Sequence, residues 1–328
     1  MKIKNNVILF STVVSTLLWW LLDANGHSSE LSLTAALTVL IAILWVTEAL
    51  PIPVTSLIPF VAFPMAGVID YKEASSALGS HVILLLMGAF MLSKALEKSG
   101  VHRRIAVYML RLCGSSSAKR LVLGFMLTSA LLSMWISNTA TALMLLPIAM
   151  AIITSMDSPK LATALLLGIA YAASLGGVGT PIGTPPNIIF MSVYQQTTGV
   201  ELSFLNWMMT GVPVVLISIP IMSFWLTRNL SEMPPCDLPK AGGWRAAEKR
   251  VLAVFGIVAL AWIFRPYWSA WTGMTLVSDS TIAIAGVVLM FLVPDGDKEK
   301  PGQLLDWRTA ESIPWGMLLL FAGGICMA

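Results

Sequence analysis

"WISNTATALMLLPIAM", residues 135–150, sets Ser137, Asn138, Thr139 and Thr141 between a tryptophan and a run of leucine, methionine and isoleucine. Burying an amide or hydroxyl without a partner costs on the order of 2–7 kcal/mol in apolar surroundings. Four such groups in one short stretch therefore need partners, and the rest of the chain decides what those partners are.

The surroundings are apolar throughout. Of 328 residues, 57% are hydrophobic and 11% charged, where a soluble domain carries roughly 25% charged residues. Runs able to cross about 30 Å of hydrocarbon recur along the chain. This excludes an ordinary soluble enzyme and defines an all-α polytopic membrane protein. The 18 prolines and 24 glycines lie mostly inside or beside the apolar runs, which predicts broken or kinked membrane helices rather than disordered linkers. Cys113, Cys236 and Cys326 are dispersed and form no ligand cluster. A net charge of +3 leaves no large basic patch for nucleic acid. Neither HExxH nor GxSxG occurs, nor a Ser/His pair within reach of the polar stretch, so the chain carries no enzyme signature.

The apolar segments cover residues 7–22, 31–49, 51–69, 80–98, 120–136, 139–155, 161–180, 186–198, 207–227, 251–266 and 279–293, with a last one opening at 313. The first lacks a small-x-small cleavage site and reads as a retained helix. With Lys2 and Lys4 inside, Asp23 to Glu30 and Asp70 to Glu73 fall outside. The fourth span then delivers Lys94, Lys98, Arg103, Arg104, Arg111, Lys119 and Arg120 to the cytoplasm, as the positive-inside bias requires. Continuing this parity puts the residues around 200 and the loop 267–278 outside, and Arg245, Lys249, Arg250, Lys298 and Arg308 inside. The basic interval 102–120 reads as a lipid-facing amphipathic surface. Glu48 beside Pro51 and Pro53, His81, Lys94 and Glu97 read as groups at helix ends.

Segments 120–136 and 139–155 leave the cytoplasmic side and return to it. Each is about 16 residues, short of the roughly 20 that a spanning helix needs, which favours a re-entrant hairpin with "SNT" at its tip. A second interruption follows at "GGVGTPIGTPPN", Gly176 to Asn187. Its prolines remove backbone donors and its glycines permit strained geometry, so a continuous helix is excluded. Non-helical backbone at membrane depth is tolerated only against protein or a cavity. Broken ends offer carbonyls to a cation and helix N-termini to an anion. Ser137, Asn138 and Thr139, with Ser133 one turn earlier, offer neutral oxygens suited to a monovalent cation, and Asn138 can also donate to a carboxylate. Taken alone, Ser133 and Thr141 also fit hydroxyl bonding to their own helix. "ILLLMGAFMLSKA" (83–95) and "GMLLLFAGGICMA" (316–328) echo each other in opposite orientations, as inverted repeats do.

In chain order, "WVTEALPIPVTSLIP", "SNTATALMLLPIA", "GTPIGTPPN" and "ESIPWGMLLLFAGG" resemble the divalent anion/sodium symporter family of dicarboxylate, citrate and sulfate carriers. The resemblance implies an inverted-repeat, elevator-type transporter with re-entrant hairpins and broken helices, working as a homodimer in the bacterial inner membrane with its N-terminus cytoplasmic. It implies that Ser133, Ser137, Asn138 and Gly183 hold sodium, and that Ser137, Asn138, Thr139, Thr184 and Pro185 line the anion site. Sodium is then the coupling ion and no other cofactor is needed. The implied divisions are an N-terminal helix (1–30), scaffold helices with the amphipathic linker (31–118), a transport hairpin and broken helix (119–200), a last helix with a cytoplasmic linker (201–250), and a partial second repeat (251–328). The second "SNT" hairpin of the family falls beyond Ala328, so the expectation is a C-terminally truncated member. The function implied is sodium-coupled uptake of a di- or tricarboxylate such as succinate or citrate. A carboxylate/carboxylate antiporter and an inactive membrane fragment lacking its second half-site are the alternatives.

Overall fold

A computed structural model describes residues 2–114, 116–156, 158–230 and 242–327. All regular elements among them are helical, apart from one isolated bridge between Pro294 and Gln303. In chain order these are α1 (Lys2–Ala24), α2 (Ser29–Thr47), α3 (Ile52–Thr55), α4 (Ile58–Ala66), α5 (Tyr71–Ser76), α6 (His81–Ser99), α7 (Val101–Cys113), α8 (Ala118–Ser133) and α9 (Asn138–Met156). There follow α10 (Pro159–Gly176), a 3₁₀ turn (Gly177–Gly179), α11 (Pro185–Thr198), α12 (Phe204–Thr227), α13 (Ala246–Ile263), α14 (Arg265–Thr272), α15 (Asp279–Leu292), α16 (Trp307–Ala310) and α17 (Trp315–Met327). Among the described residues, six helical segments are long and apolar enough to cross a membrane by length and composition, or seven if α13 and α14, bent by 77°, form one span. The chain is a multi-pass helical membrane protein.

The chain forms two compact units. In the first, residues 1–84 and 314–328, α1 lies along α2, and α17 packs on α3 and α4. Trp45 Nε1 donates to Ser56 Oγ at 3.1 Å, tying α2 to the turn between α3 and α4. Glu48 caps α2 in a left-handed conformation (φ 47°), which places it at a helix end as its prolines suggest.

In the second unit, residues 85–313, α8 is the central helix and packs against α7, α9, α10 and α12. Small residues let α8 and α10 approach closely. A β-carbon on Gly176 would fall far inside van der Waals distance of the Ala130 backbone, and Ser129 Oγ donates across to the Ile169 carbonyl at 2.8 Å. By contrast α9 buries only a narrow stripe of Thr141, Leu145, Ala149 and Ile152, spaced for one helix face.

The structure corrects the length of α9. It holds 19 residues and meets the length for a span, because Asn138 already lies in its first turn and Ser137 caps it by accepting from Ala140 N at 3.2 Å. At the far end the Thr154 and Ser155 hydroxyls fold back on carbonyls of the same helix, so it runs on to Met156. The α8 arm keeps its expected 16 residues.

Among the described residues, two clusters of charged side chains each join segments that the charge bias places on one common side. Arg104 grips the buried Glu248 with Nε and Nη2 at 3.0 and 3.1 Å, donates to the carbonyls of Gly242 and Gly243, and lies over the Trp244 ring at 5.0 Å. Nearby, Lys98 pairs with Asp306 at 2.7 Å and Arg250 donates to the Pro294 carbonyl. The Lys98 ammonium, with the Thr309 amide, holds the Asp306 carboxyl down at about 2. The other cluster joins Glu201, Arg265 and Asp279.

Candidate functional site

The α8–α9 turn is short. Ser133 ends α8, fully buried, and Asn138 opens α9. Between them the Trp135 and Ile136 amides donate to the Leu132 carbonyl at 3.0 and 2.9 Å. Ser133 Oγ donates to Asn138 Oδ1 across the turn, so Ser133 does not bond back to its own helix. Thr141 does not either: its buried hydroxyl has no hydrogen-bond partner in the structure.

The second interruption is fastened by side chains. After α10 ends at Gly176, the chain makes its 3₁₀ turn and becomes extended at Thr180 before Pro185 and Pro186 start α11. The proline-rich entry leaves the first turn of α11 short of donors. Asn187 in that turn donates Nδ2 to the carbonyls of Gly177 and Thr180 in the preceding break at 2.8 Å each. Thr180 Oγ1 donates to the Met134 carbonyl, joining the break to the α8–α9 turn. Trp207 Nε1, from α12, donates to the Val178 carbonyl at 2.8 Å.

The two interruptions meet at Gly177. A β-carbon there would lie 3.2 Å from Asn138 Oδ1, 3.2 Å from the Gly183 carbonyl oxygen and 3.3 Å from Thr184 Cβ. Of the residues singled out in the sequence, Ser133, Asn138, Gly183 and Thr184 are thus brought together. Ser137 and Thr139 flank the cluster, exposed on the turn and the first turn of α9, and Pro185 flanks it as the first residue of α11. Asn187, Thr180 and Gly177 complete the arrangement, although sequence reasoning gave Asn187 and Thr180 no role and Gly177 only a conformational one. The visible signal for Asn187 was an amide two residues into a helix that opens with two prolines.

Four helix ends converge here. The C-termini of α8 and α10 bring partial negative charge, and the N-termini of α9 and α11 bring partial positive charge. The donors themselves are neutral oxygens and an amide. Among the described residues no group of three His, Cys, Asp or Glu side chains is placed to hold a metal. Such a set fits a weakly held monovalent cation beside an anion and does not fit zinc or calcium, which take charged oxygens or nitrogen and sulfur ligands.

Apolar helices interrupted at a polar, uncharged cluster of helix ends define the class, a polytopic helical membrane protein with broken helices. Within it, the family model described as citrate transporter matches residues 42–328, and the chain belongs to that family. It is similar to the sodium-dependent dicarboxylate transporter SdcS of Staphylococcus saprophyticus, with 37% identity over 316 residues covering 89% of this chain and 61% of the relative. The proteins of the same name from Staphylococcus aureus strains USA300 and NCTC 8325 match with the same identity and coverage. The chain thus spans about three fifths of the length of these curated relatives.

Proposed function

We propose that this chain carries one half-site of a secondary active transporter that couples sodium entry to uptake of a di- or tricarboxylate such as succinate or citrate. The observation that carries the reading is the convergence of four helix ends on the neutral cluster of Ser133, Asn138, Gly183 and Thr184. The sodium dependence and dicarboxylate substrate named for the Staphylococcus relatives support it.

In this reading Ser133, Ser137, Asn138 and Gly183 supply oxygens to sodium. Ser137, Asn138, Thr139, Thr184 and Pro185 face the anion, which lies at the N-termini of α9 and α11. Cation charge offsets anion charge in a site with little water, and each net positive charge moving inward gains roughly 2.3 kcal/mol per 100 mV of membrane potential. The α8–α9 pair acts as a re-entrant hairpin that travels with α10 and α11 in an elevator-type cycle. The segment 251–328 begins an inverted second repeat whose own hairpin completes the site. The protein works as a homodimer in the bacterial inner membrane with its N-terminus in the cytoplasm. The Lys98, Arg104 and Arg250 cluster supports that orientation, because its basic residues then lie inside.

The test is uptake of radiolabelled succinate and citrate by proteoliposomes holding the protein at its full natural length, with an inward sodium or choline gradient. Sodium-driven accumulation of either anion is expected. Equal uptake in sodium and choline overturns the coupling.

A further inference from the structure

Trp135 lies two residues before Ser137, and its ring is enclosed by other helices. It stacks on Phe204 with centroids 6.2 Å apart and planes 15° apart, and it meets Phe255 edge-on at 5.5 Å. Phe204 opens α12, fully buried, and stacks in turn on Trp262 of α13 at 5.1 Å with planes 6° apart. Trp262, also fully buried, donates Nε1 to the backbone carbonyl of Asp279 at 2.9 Å. The Asp279 carboxylate stands 2.7 Å from Arg265 Nε, a charge contact whose alignment falls short of a hydrogen bond. Arg265 Nη2 then reaches Glu201 at 2.5 Å. Glu201 stands three residues before Phe204, so the contacts close into a ring.

We propose that this ring is a clamp on the "SNT" turn and that the turn's affinity for sodium is set through it. The inference rests on the reading of that turn as a sodium site. Residues 134–137 contain no side chain long enough to anchor the turn except Met134, Trp135 and Ile136. Of these, Trp135 is held by flat, directional ring contacts that fix orientation as well as position. Shifting it moves the Met134 carbonyl that receives the Thr180 hydroxyl, and with it the distance from Asn138 to Gly183. Phe204, Trp262 and Arg265 are therefore positioning residues, acting on the site through Trp135.

The charged side of the ring is built to open. The Glu201 side chain is 54% exposed, whereas those of Arg265 and Asp279 are 12% and 10% exposed. When Glu201 moves away it returns to water, and Arg265 keeps Asp279. No buried charge is stranded, so the clamp can release and close repeatedly, where losing Asp279 would leave a buried cation alone.

The test uses the full natural length protein with Phe204→Leu, Trp135→Leu, the conservative Trp135→Phe, and Glu201→Gln. Phe204→Leu and Trp135→Leu are expected to raise the sodium concentration for half-maximal uptake about 3-fold or more, with the maximal rate within about 2-fold of wild type. Trp135→Phe restores most of the affinity and Glu201→Gln shifts it least. A fall in maximal rate at unchanged sodium affinity assigns these residues to folding alone and overturns the clamp. Hydrogen exchange in residues 134–141 gives a reading independent of transport. It is expected to quicken about 5-fold in Phe204→Leu while α1 and α2 exchange as in wild type. Unchanged exchange overturns the clamp. Sodium-independent uptake by the wild type instead removes the proposed function and leaves the exchange result to judge the clamp.

Discussion

At the α8–α9 turn, Ser137 and Thr139 stay exposed and the turn is gripped through one ring, Trp135, by aromatic residues distant in the chain. At the α10–α11 break the backbone is buried instead, and its carbonyls are taken up by Asn187 and Trp207. The first interruption has polar groups free to meet a ligand and is steadied from outside. The second has the carbonyls of Gly177, Val178 and Thr180 taken up by side chains and turns Gly183 and Thr184 toward the cluster, so it forms the firmer wall. In the proposed reading, a site that binds and releases needs one adaptable side and one fixed side, and the two are separate segments of chain.

The contrast is broken most severely at its wall. Gly176→Val drives a branched side chain into the Ala130 backbone, where neither helix can shift without losing the α8–α10 interface. Overpacking costs typically about 1–3 kcal/mol and more where backbone is the obstacle, so little folded protein is expected in detergent by size-exclusion chromatography. Next in size, Asn138→Ala removes the amide that accepts from Ser133 and faces Gly177 of the second interruption. Uptake is expected to fall below about one tenth of wild type, with membrane insertion retained and stability lowered by about 1 kcal/mol as the buried Ser133 hydroxyl loses its acceptor. Wild-type uptake in this variant contradicts the site.

Asn187→Ala sharpens the comparison by acting on the wall alone. It leaves the Gly177 and Thr180 carbonyls without their donor, at a cost of about 1–3 kcal/mol, and a clear drop in unfolding temperature is the expected reading. A drop no larger than that of Asn138→Ala shows that the two interruptions are not built differently. The smallest effect belongs to Thr141→Val. Its hydroxyl is buried without a partner, so the substitution is expected to leave unfolding within about 1 kcal/mol of wild type or slightly more stable. Marked destabilisation means that the hydroxyl has a partner.

Much of this arrangement is legible in sequence because it is local. Prolines and glycines between Gly176 and Asn187 exclude a continuous helix wherever they occur, and the polar run at 137–139 marks the turn between apolar arms. The parity of basic residues also groups Lys98, Arg104 and Arg250 correctly, since membrane crossings fix sides without any knowledge of packing. What stays hidden depends on contact between distant segments. Nothing adjacent to Trp135 announces Phe204 or Trp262, and the double role of Asn187 appears only when the break folds back over it. The extra length of α9 was hidden for a different reason: Ser137 and Asn138 read as turn residues, yet one caps the helix and the other begins it.

The pairing of Arg104 with Glu248 reaches beyond the finished fold to its biogenesis. Glu248 is 3% exposed, and a carboxylate so far out of water is stable only when paired with cations. Arg104 leaves the ribosome well over a hundred residues earlier. Arg245 at the start of α13 supplies a second cation, so this helix brings one counter-charge of its own and takes the other from α7, which links the two helices in assembly.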